Sequence, residues 1–538
     1  MFKLKKVMPM VAVFLAMAIS AIAQSTTSSK VKVLFVPLDD RPPCYQFTKQ
    51  LALIGDVELI TAPKELVGKF NNPGQSDKII EWMNSQDLHS FDAAIIAIDM
   101  LAYGGLVGSR VYNVPAELAM KRIQHLNSLR KKFPRLKIYA QSVIMRLAPT
   151  ADGKNESYRA DLAKWAEVSV QTNRLDKEET KRLEAKIPRD GLAQYKAARN
   201  RNLRVNLRAI QYVKAGVIDY LILSQDDAKP VGIHVADRLK LQAETKRYNL
   251  DDRIAIQPGA DEVSMLLLSR ALNKYYKLSP TIRTIYSSDL SAKTVMPFED
   301  KPLRETVSFH IKASGSREVL VEEEADIFFY VFASRKDAGR AFSFAKEIEE
   351  QVRSGKKLIL ADIDPVGDVQ GGDSIFTREL LKRKVFPELN SYASWNTAAN
   401  TIGTTLPQGI VFFVAEKKLL NEMTAARIWS AQNWFTFHRV LDDYYFHGLN
   451  RLRVNRHFDQ NKLSSKILSD TENKMVEDFG TALMLQSFNE LSSKYFDKME
   501  NSRQENIICK QPSHLQFTLP WNRTFEAEID FKMDCDLK

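Results

Sequence analysis

Two pairs of adjacent acids follow two apolar runs. In LILSQDDAKPVG, Asp226 and Asp227 come directly after an aliphatic stretch, and in IAIQPGADEV, Asp261 and Glu262 do the same. Neighbouring carboxyls can divide labour in glycoside hydrolysis: one gives its proton to the leaving oxygen while the other stays charged. The same oxygens could instead hold Mg²⁺ or Mn²⁺ for metal-assisted hydrolysis. A simpler structural reading also exists, because Asp and Glu stabilise the N-terminus of a following helix.

The runs before the acids decide where the acids sit. Aliphatic runs without polar alternation are strands buried on both faces, the mark of a parallel sheet. Parallel folds gather functional groups at the C-terminal ends of their strands. The same rule collects further tips. VKVLFVPL ends at Asp39, Asp40 and Arg41, DAAIIAID at Asp99, and LKIYAQSVIMR at Arg146. Gln225 precedes the first acid pair, KKLILADID carries Asp362 and Asp364, and SYASWNTAAN supplies Trp395, Asn396 and Asn400. Asp261, Glu262, Asp226 and Asp227 are the catalytic candidates, and the other tips are candidate substrate-binding groups. Asp39, Asp99, Arg146, Asp226, Asp261 and Asp362 are expected to line one cleft. The 392–403 loop is expected to close over it, with Asn396 or Thr397 capping a helix.

Strand and helix patterns alternate from 31 to about 390, which predicts an α/β fold with a parallel βα-repeat core. A (β/α)-barrel-like domain is the expected form. The alternative is two doubly wound domains with a break near 288–302. From 391 to 538 the chain reads as mainly helical, over 415–456 and 470–498. It ends in HLQFTLPWNRTFEAEIDFKM, whose alternation suits a short β segment.

Residues 1–23 read as a signal peptide: Lys3, Lys5 and Lys6, an apolar core, then Ala21-Ile22-Ala23 before Gln24. Residues 24–30 form a polar linker. The expected mature protein is exported, periplasmic or secreted, and no later run reaches the roughly 18–20 apolar residues of a membrane span. The net charge is +11, and loss of the three leader lysines leaves +8, spread without a basic, aromatic-rich groove for nucleic acid. Three cysteines are too few for a disulfide scaffold, although Cys509 and Cys535 could pair. No HExxH, GxSxG, phosphate-loop or dinucleotide motif occurs, and His spacing suggests no zinc site, so no cofactor or bound metal is expected.

PLDDRP, DMLAYGGLVGSR, SVIMR, QDDAKPVG, PGADEV, YASWNTAANTIGT and PWNRTFE together resemble the domain-of-unknown-function 4127 family of exported bacterial proteins. The resemblance covers nearly the whole mature chain and implies no activity. More locally, PGADEV is similar to the GGDEV strand tip of family 20 β-hexosaminidases, which implies substrate-assisted catalysis by Asp261 and Glu262. QDDA resembles the paired aspartates of O-GlcNAcase-like enzymes and implies Asp226 and Asp227 instead. The resulting expectation is a glycosidase acting on an N-acetylhexosamine-containing glycan or other small saccharide. The alternatives are a Mg²⁺- or Mn²⁺-dependent hydrolase and a non-catalytic glycan-binding protein.

Overall fold

The computed structural model describes residues 30–538 except 152–153, 336, 461–467 and 496–506. The signal-peptide and linker readings fall on 1–29, outside the described residues. Six strands, β1 (Lys32–Val36), β2 (Glu58–Thr61), β3 (Ala93–Ala97), β4 (Lys137–Ile144), β5 (Tyr220–Gln225) and β6 (Ile254–Pro258), form one sheet in the order β2-β1-β3-β4-β5-β6. Five more, β7 (Thr281–Tyr286), β8 (Arg317–Glu318), β9 (Ile327–Phe332), β10 (Leu358–Asp362) and β11 (Ser391–Ala393), form a second in the order β11-β10-β9-β7-β8. Every pairing in both sheets is parallel.

The parallel βα reading holds, and the strands are laid out as two open sheets instead of a closed barrel. In each sheet the second strand adds to one side of the first and the third adds to the other. A barrel would need every strand added in one rotational direction. The chain changes sheets between Pro258 and Thr281, ahead of the 288–302 stretch.

The unbroken apolar runs are explained by burial on both faces. Val33 and Phe35 pack into one core, which also takes Tyr330 and Leu360 of the second sheet; Leu34 and Val36 pack into another on the opposite face. Between the sheets runs the Ala398–Lys418 helix, buried from Ala398 to Ala415. Its Ile402, Leu406 and Ile410 enter the core behind β9 and β10, and Val411 and Phe412 enter the core shared by both sheets. A helix buried on all sides cannot be amphipathic, and this one starts within the small, polar stretch SWNTAANTIGTT. Small residues let it approach its neighbours closely: a Cβ on Gly403 would lie 2.1 Å from Cγ of Glu262.

This sets up an inverted result. In an exposed helix, Gly→Ala stabilises by about 1 kcal/mol. Gly403→Ala is expected to destabilise by about 1–3 kcal/mol, because overpacking against a fixed, buried side chain outweighs propensity. Urea unfolding midpoints of the two proteins measure the sign, and a rise would refute the tight contact.

Beyond the second sheet come helices Ala425–Arg439, Arg451–Gln460 and Asp470–Tyr495, with a π-helical segment at Val440–Asn450. Two short antiparallel pairs finish the chain, β12 (Ile507–Cys509) with β15 (Cys535–Leu537), and β13 (Ser513–Thr518) with β14 (Glu528–Lys532). Cys509 and Cys535 are disulfide-bonded, and Cys44 is a buried free thiol. Among the described residues, no helix is long and apolar enough to cross a membrane.

Candidate functional site

A sheet that winds outward in both directions leaves a crevice where its first and third strands part, beyond their C-terminal ends. Both sheets turn such ends toward one cavity of about 590 Å³. Arg41 arrives after β1, Asp226 and Asp227 after β5, Asp261 after β6, Glu299 after β7 and Asn396 after β11. The tail closes the space with Trp521, Arg523 and Phe525.

Arginines hold the aspartates. The Arg41 guanidinium donates to Asp39 (Nε 3.1 Å, Nη2 2.7 Å) and on its other side to both oxygens of Asp261 (3.1 and 2.7 Å). Burial lifts Asp261 to about 6, with Arg41 pulling down and Asp39 pushing up. Arg110 donates twice to Oδ2 of Asp226 (2.9 and 2.6 Å). Burial opposes the charge on Asp226, but Arg110 and Arg146 prevail and hold it below the usual carboxylate range. Arg146 donates once to Asp227 (2.7 Å), whose side chain remains 39% exposed. Arg110 itself is lowered, first by burial and then by the charge of Arg146.

Glu299 is the exception, because no arginine faces it among its interactions. It follows Phe298, whose φ of +65° is a left-handed conformation rare for an aromatic residue. Phe298 is fixed there by its carbonyl, which accepts from Ala228 N–H of the opposite loop (2.8 Å). Glu299 is 3% exposed, and its Oε1 accepts from Ala399 N–H (2.9 Å) at the start of the central helix. Burial raises its pKa to about 8, with repulsion from Glu262 and Asp227 adding to the effect. At neutral pH Glu299 therefore carries a proton.

Trp521 Nε1 donates to Asp40 (2.7 Å), and the guanidiniums of Arg41 and Arg523 each lie 4.6 Å from a Trp521 ring centroid. Burial lifts Asp40 to about 6, and the Trp521 hydrogen bond opposes that rise. The tail is thus bound to the β1 tip by charge and stacking.

The structure brings together Arg41, Arg146, Gln225, Asp226, Asp227, Asp261, Asn396 and Asn400. It sets the other sequence-nominated groups apart. Asp39 is behind Arg41 and serves as its counter-ion. Asp40 turns to Trp521. Glu262 is fully buried behind the wall, accepts from Asn400 Nδ2 (2.7 Å) and lies 3.6 Å from His310.

Three more do not line the cleft as expected. Asp99 is sealed beneath it, accepts from Val143 N–H (2.8 Å) and is raised to about 7 by burial. Asp362 accepts from Asp373 N–H (2.7 Å), and Asp364 accepts from the backbone of Val366, Val369 and Gln370. Asp362 and Asp364 satisfy N–H groups of the turns after their strand, and Asp99 one of the neighbouring strand β4, which is why they sit at strand tips without reaching the cavity. Trp395 donates to Thr404 (2.9 Å) inside the core. Thr397 caps the central helix, accepting from Asn400 N–H (3.2 Å), while Asn396, Thr397 and Asn400 also line the cavity. The cap and the cavity wall are one feature.

Sequence reasoning missed Glu299, Arg110, Arg159, Gln370, Trp521 and Arg523 as site residues. Glu299 lies in a loop well past its strand, and Trp521 and Arg523 belong to a tail whose docking nothing local announces. Arg110 stood within the quoted GGLVGSR segment, where a lone arginine near glycines was the available signal. Among the described residues, no three His, Cys, Asp or Glu side chains are grouped to hold a metal ion.

The fold and cavity define a two-sheet α/β protein with an arginine-rich cleft closed by its own C-terminal segment. The chain belongs to the DUF4127 family of proteins of unknown function, whose model matches residues 33–530. No curated protein matches it.

Proposed function

We propose that the chain is a glycoside hydrolase working in this cleft, with Glu299 as proton donor and Asp227 as the assisting carboxylate. The observation that carries the reading is a carboxyl that keeps its proton to about pH 8 in the same cavity as arginine-paired carboxylates. Glycosidic cleavage needs that combination, because the leaving oxygen takes a proton while negative charge steadies the developing oxocarbenium ion. Asp226 and Asp261 are each gripped by two arginine hydrogen bonds, with side chains 6% and 9% exposed. Asp227 receives one such bond and is the open member of the set. With Glu262 sealed off, the proton-donor role falls to Glu299 and not to a member of the Asp261–Glu262 pair.

Phe298 and Phe525 supply apolar faces for a sugar ring. Gln370 and Asn396, joined by a hydrogen bond of 3.2 Å, offer amides to an acetamido group, which favours an N-acetylhexosamine substrate. The N-terminal leader pattern supports a location outside the cytoplasm, and sequencing of the mature protein should then begin at or near Gln24.

The test is turnover of aryl and oligosaccharide N-acetylhexosaminides by wild type, Glu299→Gln and Asp227→Asn. Hydrolysis by wild type is expected, with oligosaccharide turnover lost in both variants and aryl glycoside turnover lost in Asp227→Asn but largely kept in Glu299→Gln. No hydrolysis of any glycoside despite saccharide binding would replace the enzyme with a binding protein.

A further inference from the structure

The cavity that holds Glu299 opens into a second chamber of about 380 Å³. Arg146, Arg159, Arg523, Gln370 and Phe525 form a wall common to both. The second chamber adds Arg451, so four arginines line it and, among the described residues, no carboxylate does. Such a concentration of guanidinium is unfavourable unless counter-charge lies close by.

Two of the four are neutralised from behind. Arg146 is paired with Asp227, and Arg523 donates to both oxygens of Glu526 (2.9 and 2.7 Å). The other two are not matched in this way. Arg451 gives its hydrogen bond to the Val369 carbonyl (2.7 Å), and Asp442 and Glu526 reach it only through longer-range attraction. Burial keeps Arg451 below the usual guanidinium range. Arg159 meets Glu156 at 3.8 Å, and its buried Nε makes no hydrogen bond.

The chamber is also rigid where it matters. Arg451 and Arg523 lie 5.5 and 5.3 Å from the Phe525 ring centroid, and Arg523 lies 5.4 Å from that of Phe70. Stacked guanidiniums are pre-oriented forks, and such forks bind carboxylate and phosphate through paired hydrogen bonds.

We infer that this chamber is a subsite for an oxyanion, a carboxylate or phosphate borne by the substrate next to the sugar held in the first cavity. The inference rests on the glycosidase reading for its account of what the first cavity holds. It names the substrate class as acidic saccharides: uronic or lactyl-bearing sugars if carboxylate, sugar phosphates if phosphate.

Binding of glucuronate, glucose 6-phosphate and glucose to the full chain, followed by calorimetry, tests it. At least one anion should bind about tenfold or more tightly than glucose, as expected for charge-assisted hydrogen bonds. That binding should weaken as NaCl rises. The preferred anion distinguishes carboxylate from phosphate. Arg159→Gln and Arg451→Gln should each bring the affinity for that anion down toward the affinity for glucose. Arg451 is buried and its variant could misfold, but Arg159 is half-buried and its variant decides the matter by itself. Equal binding of all three sugars, no anion binding, or an unaltered preference in Arg159→Gln would overturn the subsite. Anion binding without hydrolysis of any glycoside would retire the hydrolase and keep the subsite. Neutral and acidic aryl glycosides cleaved with equal kcat/KM would do the reverse.

Discussion

If the cleft hydrolyses glycosides as proposed, Glu299→Gln should lower the rate on those with poor leaving groups by roughly two to four orders of magnitude, the usual worth of a positioned acid. Activated aryl glycosides, whose leaving oxygen barely needs a proton, lose far less. Wild-type activity falls as pH rises through about 8, where Glu299 gives up its proton, and the variant lacks that limb. A second consequence is thermodynamic. The folded chain holds this proton up to about pH 8, whereas an unfolded chain releases it at roughly pH 4.3. More protons are bound in the folded state across that interval, so the group's contribution is complete below it and is lost as pH climbs to about 8. Glu299→Gln should therefore flatten stability over that window. Equal leaving-group effects on wild type and variant, or unchanged pH profiles, would remove Glu299 from the chemistry.

Arg41→Met should be the most damaging single change to stability, at about 3–5 kcal/mol, the range for breaking a buried ion pair from one side. The side chain is 7% exposed and grips Asp39 and Asp261 together. Its loss strands two carboxylates at the floor of the cleft. Asp261, already lifted to about 6, would rise further without Arg41. The deficit should therefore shrink in mild acid, where the stranded groups protonate, and widen toward pH 8. Adding Asp261→Asn to Arg41→Met should recover part of the loss. Thermal unfolding of the three proteins from pH 5 to 8 measures this, and a deficit independent of pH would count against the stranded-charge account.

The parallel strands could be read from sequence because burial on both faces leaves no polar alternation in runs such as AAIIA and IFFYVF. Closure could not, because open and closed sheets use the same strands and differ only in the side on which each crossover adds its strand. At the site, Arg41, Arg146, Asp226, Asp227 and Asp261 were legible since each follows its strand directly. Asp99, Asp362 and Asp364 follow strands too, but their short side chains are spent on backbone N–H groups, Asp99 on Val143 of the neighbouring strand and the other two on the loops that follow them. Glu262 shows the limit of reading neighbours as partners. Asp261 and Glu262 are consecutive, yet one faces the cavity and the other faces Asn400 and His310. Glu299 was illegible for the opposite reason: its proton is kept by surroundings drawn from distant segments, and no local motif encodes burial.

The tail that closes the cavity has a consequence for biosynthesis. The cavity's first ligand-facing residue is Arg41 and its last is Phe525, so a chain made from its N-terminus presents every acid before Trp521, Arg523 and Phe525 exist. A nascent or prematurely ended chain can build both sheets and still lack one wall of the cleft. The wall that Trp521, Arg523 and Phe525 supply is thus the last part of the cleft to be made. A chain ending before Pro520 should fold its sheets, as judged by circular dichroism, and bind no saccharide; binding equal to that of the full chain would show that the tail is dispensable.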